Sequence, residues 1–335
     1  MVLEKDMREA YNIIKPLGRG TFGDVYQAEP TDAIGQVVAV KVLRTTTASV
    51  CDRLREVIFY RRMPAHPKLV ALHDLFVDIP TGHVVLALEH MSGTLLQLMD
   101  LTRHQDRTFS ALVVAGMVKD MLHGIAHIHA HGFVHRDIKP ENVLVGGHDR
   151  HIKLKLCDFG LSRPLSQPGP WTGYVATRWY RAPEQVLDLG AYGAGVDVWA
   201  VCVILVELCN LRPLFPGRAT GDMVIKLHVA LGTPSRHAWG GPSPDVAAAL
   251  AELYGEEPEG NGLFDGNGLL ESSAWFRFER HDVFLDVLRA GTQWDSARRP
   301  TAPRMLAAVR ELIEVLGRSR ASATSIAAGV GIPSK

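Results

Sequence analysis

The stretch "HGFVHRDIKPENVL", residues 131–144, puts a histidine, an arginine, an aspartate, a lysine and an asparagine into eight positions, His135 to Asn142. Charges of both signs at that density make a poor helix face and a poor strand. The stretch follows an apolar, helix-periodic segment at 110–131, so it reads as a loop that closes that helix and carries chemistry. A second stretch, "LKLCDFGLSR" (154–163), sets Asp158 and Gly160 directly after a strand-like run.

Two stretches nearer the N-terminus belong with these. "LGRGTFGDV" (17–25) spaces Gly18, Gly20 and Gly23 as G-x-G-x-x-G, with Val25 two residues on. Glycines let a backbone approach phosphates closely, but the pattern alone also fits a plain hairpin turn. Strand-like sequence on both sides favours a flap over a triphosphate rather than a dinucleotide fold. In "VVAVKVL" (37–43) Lys41 interrupts a hydrophobic strand, and a buried ammonium needs anionic company. Its two candidate partners are a nucleotide's phosphates and Glu56 in "RLREVIF". Transfer of a γ-phosphoryl group needs an acceptor to orient the incoming hydroxyl, ligands for Mg²⁺ and positive charge on the phosphates. Asp137 meets the first demand, Asn142 with Asp158 the second, and Lys41 with Lys139 the third. One carboxylate and one amide suit Mg²⁺, which keeps part of its water shell.

In that order, with "APE", "DVW" and "RRPTA" further on, the chain resembles a eukaryotic protein kinase over residues 11–316. The resemblance implies an α+β, bilobal fold: a small antiparallel-sheet lobe with one main helix, then a larger helical lobe. It implies ATP and Mg²⁺ as cofactors, with Gly18, Gly20, Gly23, Val25 and Lys41 around the nucleotide. It makes Leu88 the gatekeeper, and Glu89 and Met91 hinge positions that meet adenine through backbone groups. Glu184 is expected to pair with Arg299, and Asp197 to brace the catalytic loop.

"WTGYVATRWYRAPE" (171–184) resembles the CMGC kinases, within them the RCK (MAK/MOK-like) and MAP-kinase branches, the first favoured. Thr172 and Tyr174 become candidate phosphosites. The resemblance assigns Arg55, Arg136 and Arg163 to the first phosphate, and Arg178 and Arg181 to the second. It also implies protein substrates with Ser/Thr-Pro sites, and an upstream activating kinase or autophosphorylation. Three departures stand out. Fourteen residues separate Lys41 from Glu56, fewer than usual; Lys68 replaces the asparagine of "HPN"; and Cys202-Val203 replaces Gly-Cys. A short helix entry able to spoil the Lys41–Glu56 pair keeps a nucleotide-binding scaffold in view; a cyclin-dependent kinase is a separate alternative, against which the chain has no PSTAIRE-like helix sequence.

The composition is consistent with this. Among 335 residues, 36 basic side chains balance 36 acidic ones, so neither nucleic acid nor a membrane surface is the expected partner. The longest apolar run, 196–208, is shorter than a bilayer span and includes Asp197 and Glu207. No apolar signal core follows the N-terminus, and the four cysteines read as reduced thiols of a cytoplasmic protein; a cilium, flagellum or nucleus follows only by resemblance. The expected organisation is a small lobe with hinge (1–91), a large lobe with an insertion near 235–275 (92–316), and a flexible tail (317–335). His123 and His127, one turn apart, have a zinc-like spacing but belong with the helix-end histidines of the family. Cys157 reads first as a small strand residue and second as a nucleophile beside the nucleotide.

Overall fold

The computed structural model describes residues 3–20, 23–44, 50–147, 152–167, 178–187, 192–231 and 282–329. A six-stranded sheet builds the small lobe from β1 (Leu3–Lys5), β2 (Tyr11–Gly20), β3 (Gly23–Pro30), β4 (Val38–Leu43), β5 (Leu72–Asp78) and β6 (Val84–Glu89). Its order is β1-β5-β6-β4-β3-β2, antiparallel except where β1 runs parallel to β5. Alternation along β4 and β6 separates two apolar faces, as strand geometry requires. Val38, Val40, Val85 and Ala87 pack with Tyr11 and Phe76 on one, while Leu43, Leu86 and Leu88 join Val70 on the other.

β1 and the helical turn Met7–Ala10 precede the region expected to fold as strands. They are fixed by distant acids: Lys5 Nζ meets Asp74 at 2.5 Å, and Asp78 accepts the Met7 N–H at 2.9 Å. The apolar spacing of Val50, Leu54, Val57 and Ile58 in the sequence predicts one inner face for the helix Val50–Arg62; the first two side chains lie outside the described residues, and the other two do not share that face. Val57 is buried and Ile58 is exposed, while Phe59 takes the interior position and stacks on Phe159 with centroids 3.9 Å apart. Aromatic burial decides the rotation of the helix, because a ring removes more apolar surface than an isoleucine.

The large lobe contains the helices Leu95–His104, Ala111–Ala130, Gly195–Asn210, Thr220–Leu231, Asp282–Gly291 and Ala302–Gly329. Thr94 and Gln97 close a reciprocal capping box, and Ser110 caps the second helix through the Val113 N–H. The helix Gly195–Asn210 is apolar on every side and buried from Val196 to Cys209, which puts it at the centre of the lobe. Ala111–Ala130 is long and apolar enough by composition to cross a bilayer, yet its residues fill the core of this lobe. The insertion expected near 235–275 lies outside the described residues.

Two features of the large lobe go beyond the sequence reading. The last helix runs on to Gly329, through most of the segment read as a flexible tail; its run of arginine, serine and alanine contains no proline before Pro333 to stop it. Cys202 at its unusual position is accommodated by Gly291, where a Cβ would lie 2.2 Å from the Cys202 Sγ.

Candidate active site

Lys41 lies inside β4, 8% exposed, with its ammonium on both oxygens of Glu56 (2.9 and 2.7 Å) and on Asp158 Oδ1 (2.9 Å). The short entry to the Val50–Arg62 helix therefore does not spoil the pair. Burial alone would pull the lysine pKa down, but the charges of Asp158 and Glu56 outweigh it and hold the ammonium ionised. The Asp158 carboxyl is opposed by burial yet kept below its usual range by Lys41, with help from His135 and Lys139. Glu56 moves the other way, raised by burial and by Asp158 despite Lys41.

Asp158 has left-handed backbone angles (φ 60°, ψ 76°), a conformation costly for a non-glycine residue. The following Phe159 holds it there, fully buried among Phe59, Tyr60 and His135. The catalytic-loop stretch is braced from below. Asp197, at the start of the central helix, accepts the N–H groups of His135 (2.9 Å) and Arg136 (2.8 Å) and lies 2.8 Å from His129 Nε2. Burial would raise the Asp197 pKa, but these bonds and the histidine charges lower it. Arg136 is the second left-handed residue of the site, with φ 73°. Beyond it, Asn142 Nδ2 donates to both the carbonyl and Oδ2 of Asp137, each at 2.8 Å, and Lys139 Nζ sits 2.9 Å from the same Oδ2.

The glycine-rich stretch is the tip of the β2–β3 hairpin, with Gly20 opposite Gly23 and Gly18 opposite Val25. A Cβ at Gly23 would lie 2.1 Å from the Val42 carbonyl oxygen, so only glycine fits, and Val25 is paired directly with Lys41. Leu88 is buried in the apolar cluster that Tyr60 and Cys157 also touch. The Glu89 N–H is spent on the Ala71 carbonyl (2.9 Å), and Met91 packs over Gly146. Burial and the Asp158 charge push the Cys157 thiol up, which disfavours the thiolate a nucleophile needs. His127 Nε2 lies 3.0 Å from the Pro64 carbonyl, and His123 Nε2 lies 3.3 Å from Arg310.

Thr172 and Tyr174 lie outside the described residues. The arginines assigned to them fall into two places. Arg55 and Arg163 line an open cavity of about 210 Å³ together with Arg62, which the sequence reading did not include. Arg136 and Arg181 line a smaller recess beside Asp137. Arg136 reaches Leu161 O (3.2 Å) and Tyr192 Oη (2.6 Å), while Arg178 donates to Thr220 Oγ1 (2.7 Å). The Arg181 pKa is lowered by burial and by the neighbouring charges of Arg178 and Arg136, despite Asp137. The reading also missed Lys155, whose ammonium meets Glu89 at 2.7 Å and ties the hinge position to the strand before Asp158.

The pairing of Glu184 with Arg299 completes the set: two parallel bonds of 2.6 and 2.7 Å deep in the large lobe. The protein kinase domain model matches residues 11–309. The chain belongs to the protein kinase family. It is 34% identical over 300 residues to the rice (Oryza sativa subsp. japonica) protein named cyclin-dependent kinase F-3, covering 89% of this chain and 64% of that one. The mouse (Mus musculus) serine/threonine-protein kinase MAK is 33% identical over 311 residues, and the rat (Rattus norvegicus) kinase ICK 34% over 298; each alignment covers 88% of this chain and 44% of the relative. These relatives belong to the CMGC group, on its RCK branch. The chain spans less than two thirds of their length.

Proposed function

We propose that the chain is an ATP-dependent serine/threonine protein kinase. The observation that carries the reading is the Lys41 ammonium shared between Glu56 and Asp158, with every group of the catalytic loop in place behind it. ATP lies between the lobes under the Gly18–Gly20–Gly23 hairpin and Val25. Adenine rests beside Leu88, against the Glu89 carbonyl and the Met91 backbone. Lys41, fixed by Glu56, holds the α and β phosphates. The donor set of Asp158 and Asn142 fits Mg²⁺: one Asp158 oxygen is on Lys41, and the Asn142 amide nitrogen is turned to Asp137 so that its oxygen is presented elsewhere. Mg²⁺ supplies charge neutralisation of the phosphates.

Asn142 and Lys139 both engage Oδ2 of Asp137, which orients Oδ1 toward a substrate hydroxyl. The hydroxyl oxygen bonds to the γ-phosphorus as the bond to the bridging oxygen breaks. Its proton passes to Asp137, and ADP leaves with the bond electrons. Lys139 steadies the transferring group. Regulation is read as phosphorylation of Thr172 and Tyr174 by an upstream kinase or by the protein itself, with Arg55, Arg136 and Arg163, and then Arg178 and Arg181, as the receiving charges. Substrates are read as Ser/Thr-Pro sites.

The test is incubation of wild type and Asp158→Ala with Mg-ATP, mapping phosphate by mass spectrometry and comparing Ser-Pro with Ser-Ala peptides. Wild type alone should gain phosphate on Tyr174 and prefer the Ser-Pro peptide. Silence of the wild type, even after treatment with an active upstream kinase, would replace the reading with a nucleotide-binding scaffold. Similarity to the rice kinase named as cyclin-dependent favours one other arrangement, in which transfer rises only when a cyclin is added.

A further inference from the structure

Lys68 departs from the family pattern, and its surroundings give it a task. The loop from Pro64 to Leu69 carries the chain away from the Glu56 helix and lies against the helix Ala111–Ala130. Lys68 Nζ meets Asp120 Oδ2 there at 2.5 Å, with the side chains only 19% and 10% exposed. Asp120 sits midway along the helix that runs into the catalytic loop, and the same Oδ2 faces the Leu154 N–H at 3.4 Å. The Lys68 backbone is engaged as well: its carbonyl accepts the Leu156 N–H at 2.9 Å, and the Val70 N–H returns to the Leu156 carbonyl at 3.0 Å. Leu156 stands two residues before Asp158. A Cβ at Gly124 would lie 3.0 Å from the Lys68 carbonyl oxygen and 2.9 Å from Leu156 Cδ1, so helix, loop and strand meet at a distance that suits glycine.

Three catalytic carboxylates therefore depend on elements that converge at one residue. Glu56 rides on the helix before the loop, Asp137 on the loop after the Asp120 helix, and Asp158 two residues past the strand that Lys68 pairs with. We propose that Lys68 is a positioning residue whose ion pair with Asp120 holds these three elements in the register that lets Lys41 reach both Glu56 and Asp158. A neutral amide would supply hydrogen bonds at this place; a lysine adds a charge pair partly withdrawn from water, where its attraction is less screened than at the surface. The proposal deepens the kinase reading and rests on it for its rate readout only.

The experiment uses the full chain with Lys68→Met, Asp120→Asn, the two combined, and Lys68→Arg as the conservative rescue. Lys68→Met keeps the aliphatic stem and the backbone bonds, and a thermal scan verifies that each variant is folded. Each single variant should lower kcat about tenfold while changing the ATP KM far less, and the double variant should be no worse than either single one. Lys68→Arg should recover most of the rate. Hydrogen exchange should quicken in residues 50–62 of Lys68→Met relative to the central helix 195–210. An unchanged kcat and exchange pattern, additive losses, or a uniform loss of protection with no preference for 50–62 would overturn the proposal. If wild type transfers no phosphate, the kinase reading fails, and the exchange comparison still decides the role of Lys68.

Discussion

Two buried ion clusters with similar bond lengths do different work in this molecule. In the large lobe, Arg299 and Glu184 form a one-to-one pair, and every remaining direction of the guanidinium is used. It also reaches the carbonyls of Gln293 (2.8 Å), Gly195 (3.3 Å) and Trp294 (3.3 Å), and lies 4.9 Å from the centre of the Trp199 ring. Charge is balanced and the arginine side chain is completely buried. Between the lobes, one ammonium serves two carboxylates, so the cluster of Lys41, Glu56 and Asp158 carries an excess negative charge. Its outer member, Asp158, has a side chain still 29% exposed. The first is a closed structural joint. The second leaves one carboxylate partly open to solvent, an oxygen donor of the kind a hard divalent cation takes.

The comparison is broken most severely at the closed joint. Arg299→Met leaves Glu184 buried without its cation and several carbonyls without a donor. Truncating one partner of a buried pair costs about 3–5 kcal/mol. Denaturant unfolding should show a loss of that order, and a loss below about 1 kcal/mol would mean the pair is an ornament of a lobe held by its apolar core.

Lys41→Met tests the open cluster and should invert the pattern. Removing the shared ammonium leaves two facing carboxylates, but Asp158 can turn toward water and relieve them. Stability should fall less than in Arg299→Met, whereas kcat should drop by about 10²–10³, the range for losing one preorganised charge donor. Equal damage to folding and rate would show that the two clusters are alike after all.

What the sequence conveyed follows the same division. The candidate catalytic groups were legible because transfer chemistry demands particular residue types at short spacings: Asp137, Lys139 and Asn142 share eight positions with His135, and the structure brings them together. The sheet-then-helix order was legible in the short β-branched runs between Tyr11 and Ala87 and in the periodicities near 3.6 residues that follow Thr94. Contacts between distant segments were legible only where the family resemblance supplied them, as for Glu184 with Arg299 and Asp197 with the catalytic loop. Lys68–Asp120, Lys155–Glu89 and the clamp of β1 by Asp74 and Asp78 join residues 50 or more apart, where no local pattern marks the partner. The rotation of the Glu56 helix escaped for a related reason. Val57, Ile58 and Phe59 all suit an apolar stripe, and Phe159, a hundred residues on, decides which of them faces inward.

A third buried acid sharpens the contrast, because the charge of Arg103 acts on it only weakly against its burial. Glu207, in the central helix, is 2% exposed, and its Oε2 finds no hydrogen-bond partner among the described residues. Burial pushes its carboxyl up to about 7, with the charge of Glu141 adding to the shift and a bond from Tyr180 opposing it. The folded protein therefore holds this proton between pH 4.5 and 7 while the unfolded chain releases it, so stability attributable to Glu207 declines as pH rises through that window. Glu207→Gln keeps an oxygen for Tyr180 and removes the titration. The stability difference between Gln variant and wild type should shift in favour of the variant by roughly 2 kcal/mol between pH 5 and pH 8. A difference that stays flat over that range would show that Glu207 finds its counter-charge in the folded protein, making it a closed joint like Arg299–Glu184. The expected slope would show that burial at Glu207 outweighs the bond from Tyr180 and the charge of Arg103.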